Sequence, residues 1–192
     1  MTMNGHLRYG IAVLLAFDCL LRVGELCNIR KCDIADAGDP RMGKEYTGTA
    51  IRLPKTKTGA NQWVTVEDKH VIILLRLLMS HTQNDQSKLF TFSTSCFRSM
   101  FKSSCEQLQL SRNYVPHSLR HGGATRLHLL GRSIEDIMLR GRWQSNKSAR
   151  RYIQAGRAML LTVSVSSRMA KYAKTLSSNP LCSLYYSLSQ NH

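Results

Sequence analysis

The amino-acid sequence predicts an α+β domain that is mainly helical and contains one small antiparallel sheet. Apolar residues recur at helical spacing in several stretches along the chain. Residues 49–54 and 63–66 are instead rich in β-branched residues and flank residues 59–62, Gly-Ala-Asn-Gln, a pattern typical of a hairpin and its turn. The 192 residues, of which 43% are hydrophobic, are enough for one domain with a buried core.

The first part of the chain is predicted to run from a helix through a short strand into a loop. Apolar residues at helical spacing place a mostly buried helix at residues 7–26. Residues 27–34 are compatible with a short strand. The next segment, residues 36–43, contains two glycines and a proline and therefore indicates a loop.

Two core helices are expected after the hairpin. A wide apolar face over residues 71–79 follows Glu67 and Asp68, whose negative charges favour a helix N-terminus. Residues 93–108 carry apolar side chains at steps of four, four and three, which predicts a further helix.

Helices are also predicted for most of the remaining chain. One begins at Pro116 and ends near Leu130, just before Gly131. A short helix starts at Ser133, because Ser133 and Asp136 have the spacing of a capping box. The last predicted segments are two helices and a flexible tail, at residues 145–153, 157–173 and 176–192.

The charge of the chain indicates an anionic partner. Lys and Arg number 27 against 12 Asp and Glu, which gives a formal net charge of +15 and an isoelectric point near 10.0. A charge of that size repels itself unless an anionic partner is usually nearby.

The same sequence argues against several protein classes. The six cysteines show no CxxC pair and no repeated spacing, so we expect reduced thiols and neither a disulfide framework nor a zinc site. The longest apolar stretch, residues 11–17, is far shorter than a membrane span, and the polar residues 1–9 do not form a secretory signal. We therefore expect an intracellular protein, in the nucleus of a eukaryote or in the cytoplasm or nucleoid of a prokaryote.

The segment PHSLRH at residues 116–121 is the first candidate for chemistry. On a helix that starts at Pro116, His117 and Arg120 share one face near the positive end of the helix dipole, which suits an anion. A polar surface turn is the simpler interpretation of this segment alone. His117 and His121 also have the spacing of two zinc ligands, but Ser118 replaces the usual Glu and no third ligand is evident.

Further residues in a fixed order change that interpretation. LRVGEL lies upstream at residues 21–26, KTKTG lies at residues 55–59, and Tyr152 comes nine residues after Trp143 of GRW. From residue 7 to 175 this set resembles the tyrosine recombinase (phage integrase) family, whose catalytic domain carries Arg, Lys, His-x-x-Arg, His or Trp, and Tyr in this order. The resemblance implies that catalytic domain for residues 1–175, and the helical core-binding domain that precedes it in many relatives is expected to be absent.

The resemblance implies catalytic roles for Arg22, Lys57, His117, Arg120, Trp143 and Tyr152. Arg22 and Arg120 would grip the scissile phosphate, since a guanidinium matches two phosphate oxygens. Tyr152 would be the nucleophile, and because a phenol has a pKa of about 10, its attack needs cations around it. His117 would donate to a phosphate oxygen or manage the proton of the phenol.

Two of these roles leave an alternative open. Lys57 is the candidate general acid for the leaving 5′ oxygen, because a flexible ammonium can follow that oxygen, and Lys55 on the same strand face is the alternative. The indole N–H of Trp143 would bond a phosphate oxygen, or its ring would serve packing alone.

Other residues are expected to support the site or to hold DNA. Glu25 shares a helix face with Arg22 and is expected to position a catalytic neighbour, although a solvated helix charge is the alternative. His121 and Gly123 fit the family pattern around Arg120 and are expected to be supporting residues. The residues expected to contact DNA phosphates are Lys55, Lys147, Arg150 and Arg151.

The implied activity is the cleavage and rejoining of DNA strands through a 3′-phosphotyrosyl intermediate, in site-specific recombination or integration. Neither a metal nor another cofactor is expected, because the covalent link keeps the bond energy and the cationic residues stabilise the charge. Relatives commonly act on double-stranded DNA as homotetramers. The alternatives are a non-catalytic DNA-binding remnant of a mobile element and a type IB topoisomerase-like activity.

Overall fold

The computed structural model describes residues 5–57, 59–153, 170, 171 and 174. Within these residues the fold is mainly helical with one small sheet, as predicted. The α-helices are α1 (Gly5–Asp18), α2 (Val23–Leu26), α3 (Lys69–Ser80), α4 (Thr94–Gln107), α5 (His117–Leu129), α6 (Ile134–Gly141) and α7 (Asn146–Arg150). Each helix in the described part of the chain is too short or too polar to span a lipid bilayer.

The sheet has three antiparallel strands in the order β1 (Ile34–Ala35), β2 (Thr49–Thr56) and β3 (Gly59–Val66). The strands β2 and β3 remain paired as far as Thr56 and Gly59. The turn predicted at residues 59–62 is therefore wrong, because these residues belong to β3. As a result, Lys57 lies at the tip of the hairpin, where no cross-strand pairing holds its side chain over the sheet.

The strand predicted at residues 27–34 is also wrong for most of its length. Lys31–Asp33 form a 3₁₀ turn, and only Ile34 at the end of that segment enters β1. The carboxylate of Asp33 accepts a hydrogen bond from the backbone N–H of Arg30 at 3.0 Å and pairs with Arg52 at 2.9 Å. These contacts bend the chain locally, since an aspartate that bonds nearby backbone competes with extended structure.

The single helix predicted at residues 7–26 is in fact two helices. The first one ends at Asp18, and the backbone turns at Leu20, which has a positive φ of 51°. The backbone N–H of Leu21 donates to the carbonyl of Ala16 at 3.0 Å, the pattern of a Schellman motif. This break makes Arg22 the N-cap residue of α2 and separates it from the α1 helix.

Arginine side chains from distant parts of the chain satisfy the carbonyl groups exposed by this break. Arg140 donates to the carbonyl of Asp18 at 2.8 Å, and Arg142 donates to the carbonyl of Leu20 at 3.0 Å. Arg120 donates to the same Leu20 carbonyl. Buried carbonyls need such partners, so the break is stabilised by tertiary contacts and has no local sequence signal.

The predicted helices that follow the sheet have close to the expected bounds where the structure describes them. Asp68, Ser93, Ser133 and Ser145 accept hydrogen bonds from backbone N–H groups of the first turns of α3, α4, α6 and α7. The last of these helices is shorter than the predicted residues 145–153. The helix predicted at 157–173 and the tail at 176–192 lie outside the described residues, apart from 170 and 171.

Two apolar clusters hold the domain together. The larger one joins α1, α3, α4 and the sheet. The smaller one joins α5, α6 and α7 through buried residues that include Leu20, Ala124, Ile137, Trp143 and Ala149. The smaller cluster therefore packs α5, α6 and α7 against Leu20, at the break after α1.

Gly123 sets the distance between α5 and α1, and Gly123→Ala is expected to destabilise the fold. A Cβ atom at this position would lie 2.3 Å from the carbonyl oxygen of Phe17 and 2.5 Å from the Leu20 side chain. Because backbone cannot move aside cheaply, we expect a loss of about 3 kcal/mol in the free energy of unfolding, measured by urea denaturation. Gly10→Ala is the matched control, since a Cβ there meets nothing within 4 Å, and equal losses for both variants would contradict this reasoning.

Candidate active site

Tyr152 lies just after α7 and contacts three of the residues that the sequence singled out. Its hydroxyl oxygen is 3.2 Å from Nε2 of His117. Its ring is stacked on His121 with centroids 4.4 Å apart, and it is 4.6 Å from the ring of Trp143. The structure therefore brings the candidate nucleophile and a candidate proton acceptor into hydrogen-bonding distance.

Arg120 lies beneath these rings with 0% of its surface exposed. Its guanidinium carbon is 4.4 Å from the ring centroid of Trp143 and 5.6 Å from that of Tyr152. The guanidinium donates to the backbone carbonyls of Leu20 and Gly141. Nε is buried and has no hydrogen-bond partner among the described residues, so part of the donor fork remains available to an anion.

The positive charge of Arg120 survives its burial. Burial, followed by the nearby charges of Arg142 and Arg22, lowers the pKa of Arg120 to about 9. That pKa is still above neutral pH, and the guanidinium remains protonated. A buried cation with free donor capacity is suited to stabilising negative charge that develops on a phosphate.

Trp143 has both a tightly packed ring and an indole N–H without a partner among the described residues, the two features on which its alternative roles depend. Its ring packs so tightly on Gly141 that a Cβ there would lie 1.8 Å from the ring. Its Nε1 is nevertheless buried without a hydrogen-bond partner in the part of the chain that is described. The side chain thus fills the smaller cluster and keeps one donor near Arg120.

His117 begins α5 on the exposed side of Tyr152. Partial burial, and then the positive surroundings of His121, Arg120 and Arg22, lower the pKa of His117 below its usual value. A lowered pKa leaves the imidazole neutral at pH 7. A neutral imidazole can accept the proton of the Tyr152 phenol.

Arg22 and Glu25 form a short ion pair at the start of α2. The Glu25 carboxylate accepts hydrogen bonds from the Arg22 backbone N–H at 2.8 Å and from its Nη1 at 2.7 Å. Burial alone would raise the pKa of Glu25, but Arg142 and the hydrogen bonds from Arg22 lower it below its usual value. The carboxylate is therefore charged and fixes the position of the Arg22 side chain through this ion pair.

The two candidate lysines lie in a second group of residues, around an open groove. Lys55 and Lys57 line this groove together with Arg22, Arg52 and Lys88. Arg22 belongs to both parts of the site. It lines the groove, and it lies close enough to His117 and Arg120 to lower their pKa values. Lys147, Arg150 and Arg151 are exposed on α7 and directly after it, beside Tyr152.

Arg142 is the residue near this site that the sequence did not single out. It lies directly before Trp143, is 7% exposed, and pairs with the Glu25 carboxylate at 3.0 Å. Only its place next to Trp143 could have drawn attention to it, since an arginine after a helix is usually solvated. Among the described residues, no group of three or more His, Cys, Asp or Glu side chains could hold a metal ion.

Solved structures with similar folds include recombinases and a transposon integrase. The XerA recombinase matches with a TM-score of 0.59 and 20% identity, over 84% of this chain and 64% of that chain. XerH in its post-cleavage complex with palindromic difH substrate gives a TM-score of 0.61 and 16% identity, over 90% of this chain and 47% of that chain. The Tn1549 transposon integrase in complex with circular intermediate DNA gives 0.58 and 15%, over 80% and 57%.

These likenesses, all at low identity, establish the fold that the sequence resemblance implied. This chain spans about half to two thirds of the length of these three proteins. No curated protein matches the sequence. The family model of the phage integrases matches residues 2–158, which is most of the chain. This protein therefore belongs to the phage integrase family.

Proposed function

We propose that this protein cleaves and rejoins DNA strands through a 3′-phosphotyrosyl intermediate, in site-specific recombination or integration. The observation that carries the proposal is the Tyr152 hydroxyl 3.2 Å from His117 Nε2 and beside the buried Arg120 guanidinium. A phenol, a neutral imidazole and a buried cation are the groups that attack on a phosphodiester requires.

In the proposed cleavage step, the Tyr152 oxygen forms a bond to phosphorus while the bond between phosphorus and the 5′ oxygen breaks. The phenol proton passes to His117. The leaving 5′ oxygen takes a proton from Lys57 at the hairpin tip, with Lys55 as the alternative donor in the same groove. Attack by a 5′ hydroxyl on the phosphotyrosyl bond reverses these transfers and rejoins a strand.

The proposed phosphate site requires a rearrangement when DNA binds. Arg120 is fully buried under the rings of Trp143 and Tyr152, so a phosphate reaches its free Nε only if these rings shift. Arg22, whose side chain is 23% exposed, is accessible without such a shift. We therefore propose that Arg22 meets the phosphate first and that Arg120 engages as Tyr152 turns towards phosphorus.

The rest of the proposal concerns DNA and assembly. Two groups of basic residues are available to DNA: Lys55 and Lys57 line the groove, and Lys147, Arg150 and Arg151 are exposed near Tyr152 in the sequence. Phosphate contacts by such residues position a protein on DNA without reading its sequence. The XerH and Tn1549 structures contain DNA, which supports double-stranded DNA as the substrate. We further propose residues 1–175 as the catalytic domain and a homotetramer as the assembly on DNA.

Covalent capture of DNA tests the proposed function. The full chain is mixed with a labelled pool of randomised duplexes, each nicked so that a short fragment diffuses away after cleavage and rejoining is prevented. A labelled protein–DNA adduct that survives a denaturing gel and disappears with protease is expected. Binding to the pool without any adduct would leave only the DNA-binding remnant, and relaxation of supercoiled plasmid by the protein alone would favour topoisomerase-like activity.

The pH dependence of adduct formation separates the two roles considered for His117. If the neutral imidazole accepts the phenol proton, the single-turnover rate stays high at pH 7 and falls as the pH drops through the lowered pKa of His117, below about 6.5. His117→Gln is expected to lower the rate by about 10²-fold or more and to remove this decline. His128→Gln, on the exposed far end of α5, is the control. A rate that increases on acidification would contradict the acceptor role and assign His117 as a donor to the phosphate.

A further inference from the structure

The backbone of Arg142 adopts a conformation that usually selects glycine. Arg142 follows α6 with φ 55° and ψ 42°, and the N–H of Trp143 donates to the Met138 carbonyl at 3.0 Å, which makes a Schellman motif. Helix α5 ends in the same motif with Gly131 at this position, φ 82°. An arginine in place of glycine is strained, so its side chain is expected to compensate.

The side chain of Arg142 is almost completely buried and makes contacts in two directions. Nη2 donates to the Leu20 carbonyl and to Oε2 of Glu25, both at 3.0 Å, while Nη1 donates to the Arg140 carbonyl at 3.0 Å. The exposed fractions of the Arg142 and Glu25 side chains are 4% and 5%. Because the charges of Arg142 and Glu25 are shielded from water, they interact strongly and keep a defined geometry.

The contacts of Arg142 continue through Glu25 to the groove. Oε2 of Glu25 accepts from Nη2 of Arg142 and from the backbone N–H of Arg22, while Oε1 accepts from Nη1 of Arg22. Arg22 in turn lines the groove that contains Lys57. We infer that Arg142 is a positioning residue of the phosphate site, which fixes the Glu25 carboxylate and through it orients the Arg22 guanidinium, an inference that rests on the proposed function.

Sharing of the carboxylate also preserves positive charge at the site. If Glu25 had Arg22 as its only cationic partner, the two charges would largely cancel at the groove. With Arg142 as a second partner, the two guanidinium groups bound to Glu25 outnumber its one carboxylate. An excess of positive charge favours a phosphodiester and the further charge that develops on it during attack.

Arg142→Gly is the variant that tests this role, because glycine relieves the strain of the left-handed backbone while it removes the guanidinium. With the captured-DNA assay at saturating DNA, we expect the single-turnover rate to fall about 10- to 100-fold, since small displacements of a positioning group have effects of this size. The dissociation constant for DNA is expected to change less than about threefold. Arg142→Lys, which keeps one donor for Glu25, is expected to recover part of the rate.

The second readout needs no reaction and separates this inference from the proposed function. In protein labelled with ¹⁵N and ¹³C arginine, NMR reports rotation of the Arg22 guanidinium, with the signal assigned from Arg22→Lys. Slow rotation in the wild type and faster rotation in Arg142→Gly are expected. If the wild type forms no adduct, the proposed function fails, and the NMR comparison alone still decides whether Arg142 orients Arg22.

Gln109→Gly is the matched control for the backbone change. Gln109 is exposed and also has a left-handed backbone, φ 54°, after α4. This variant is expected to leave the cleavage rate and the Arg22 signal unchanged. The inference is overturned if Arg142→Gly retains the wild-type rate and Arg22 rotation, or if Arg142→Gly and Arg142→Lys lose only thermal stability.

Discussion

Tyr152→Phe is expected to eliminate the covalent protein–DNA adduct while the protein folds and binds DNA as before. The substitution removes one oxygen and keeps the ring that packs on His121 and Trp143. The free energy of unfolding should change by no more than about 1.5 kcal/mol, because only the hydrogen bond to His117 is lost. Denaturing gels measure the adduct, and fluorescence anisotropy at fixed salt measures DNA binding.

Tyr114→Phe is the control for this substitution. Tyr114 is partly exposed and precedes α5 in the chain. It should form the adduct at the wild-type rate. Adduct formation by Tyr152→Phe would exclude Tyr152 as the nucleophile, and loss of DNA binding in the same variant would mean that its hydroxyl has a structural function.

Arg120→Ala is expected to have the second large effect, on both cleavage and stability. Loss of a preorganised donor lowers such rates by about 10²–10³-fold, and removal of a buried charge adds to this loss. The Gly141 carbonyl also loses its donor, which costs about 1–3 kcal/mol for a buried group left unpaired, whereas the Leu20 carbonyl keeps its bond from Arg142. Single-turnover adduct formation and urea denaturation measure the two losses separately.

Two further variants show which property of Arg120 matters. Arg120→Lys separates the charge from the forked geometry, and Arg126→Ala is the control for losing an arginine from the same helix. A lysine keeps the charge but cannot bond two carbonyls and a phosphate with one planar fork, so we expect better stability than with alanine and a rate that remains low. Arg126 is exposed on the same helix, and its substitution should leave both quantities near the wild-type values. Wild-type cleavage by the folded Arg120→Lys variant would show that the forked geometry is not required.

Helices α3 to α6 were predictable because the residues that cap them lie next to them in the sequence. Asp68, Ser93 and Ser133 cap helix starts that also show apolar periodicity, and Gly131 has the left-handed conformation expected of a glycine after a helix. The order of the candidate site residues along the chain likewise led to the family that the match over residues 2–158 confirms. The roles of these residues stay predictions.

The break between α1 and α2 could not be predicted, because its stabilising partners are distant in sequence. Leu20, Leu21 and Arg22 are good helix formers, and the carbonyls freed at this break are bonded by arginines from α5 and from α6 and its end. The hairpin turn was displaced for a related reason, since strand pairing out to Gly59 outweighed the local turn preference of residues 59–62. Pairing energy and distant donors do not appear in a local pattern.

The amino-acid sequence is enough to predict the fold class, most helix bounds, the excess of positive charge and the set of side chains available for phosphate chemistry. Packing between distant segments, which no local pattern reveals, buries Arg120 beneath Trp143 and Tyr152 and shares Glu25 between Arg22 and Arg142. The difference arises from burial. A residue's type fixes which charge and donors it carries, but only the packing of segments 100 or more residues apart excludes water and gives these charges their partners.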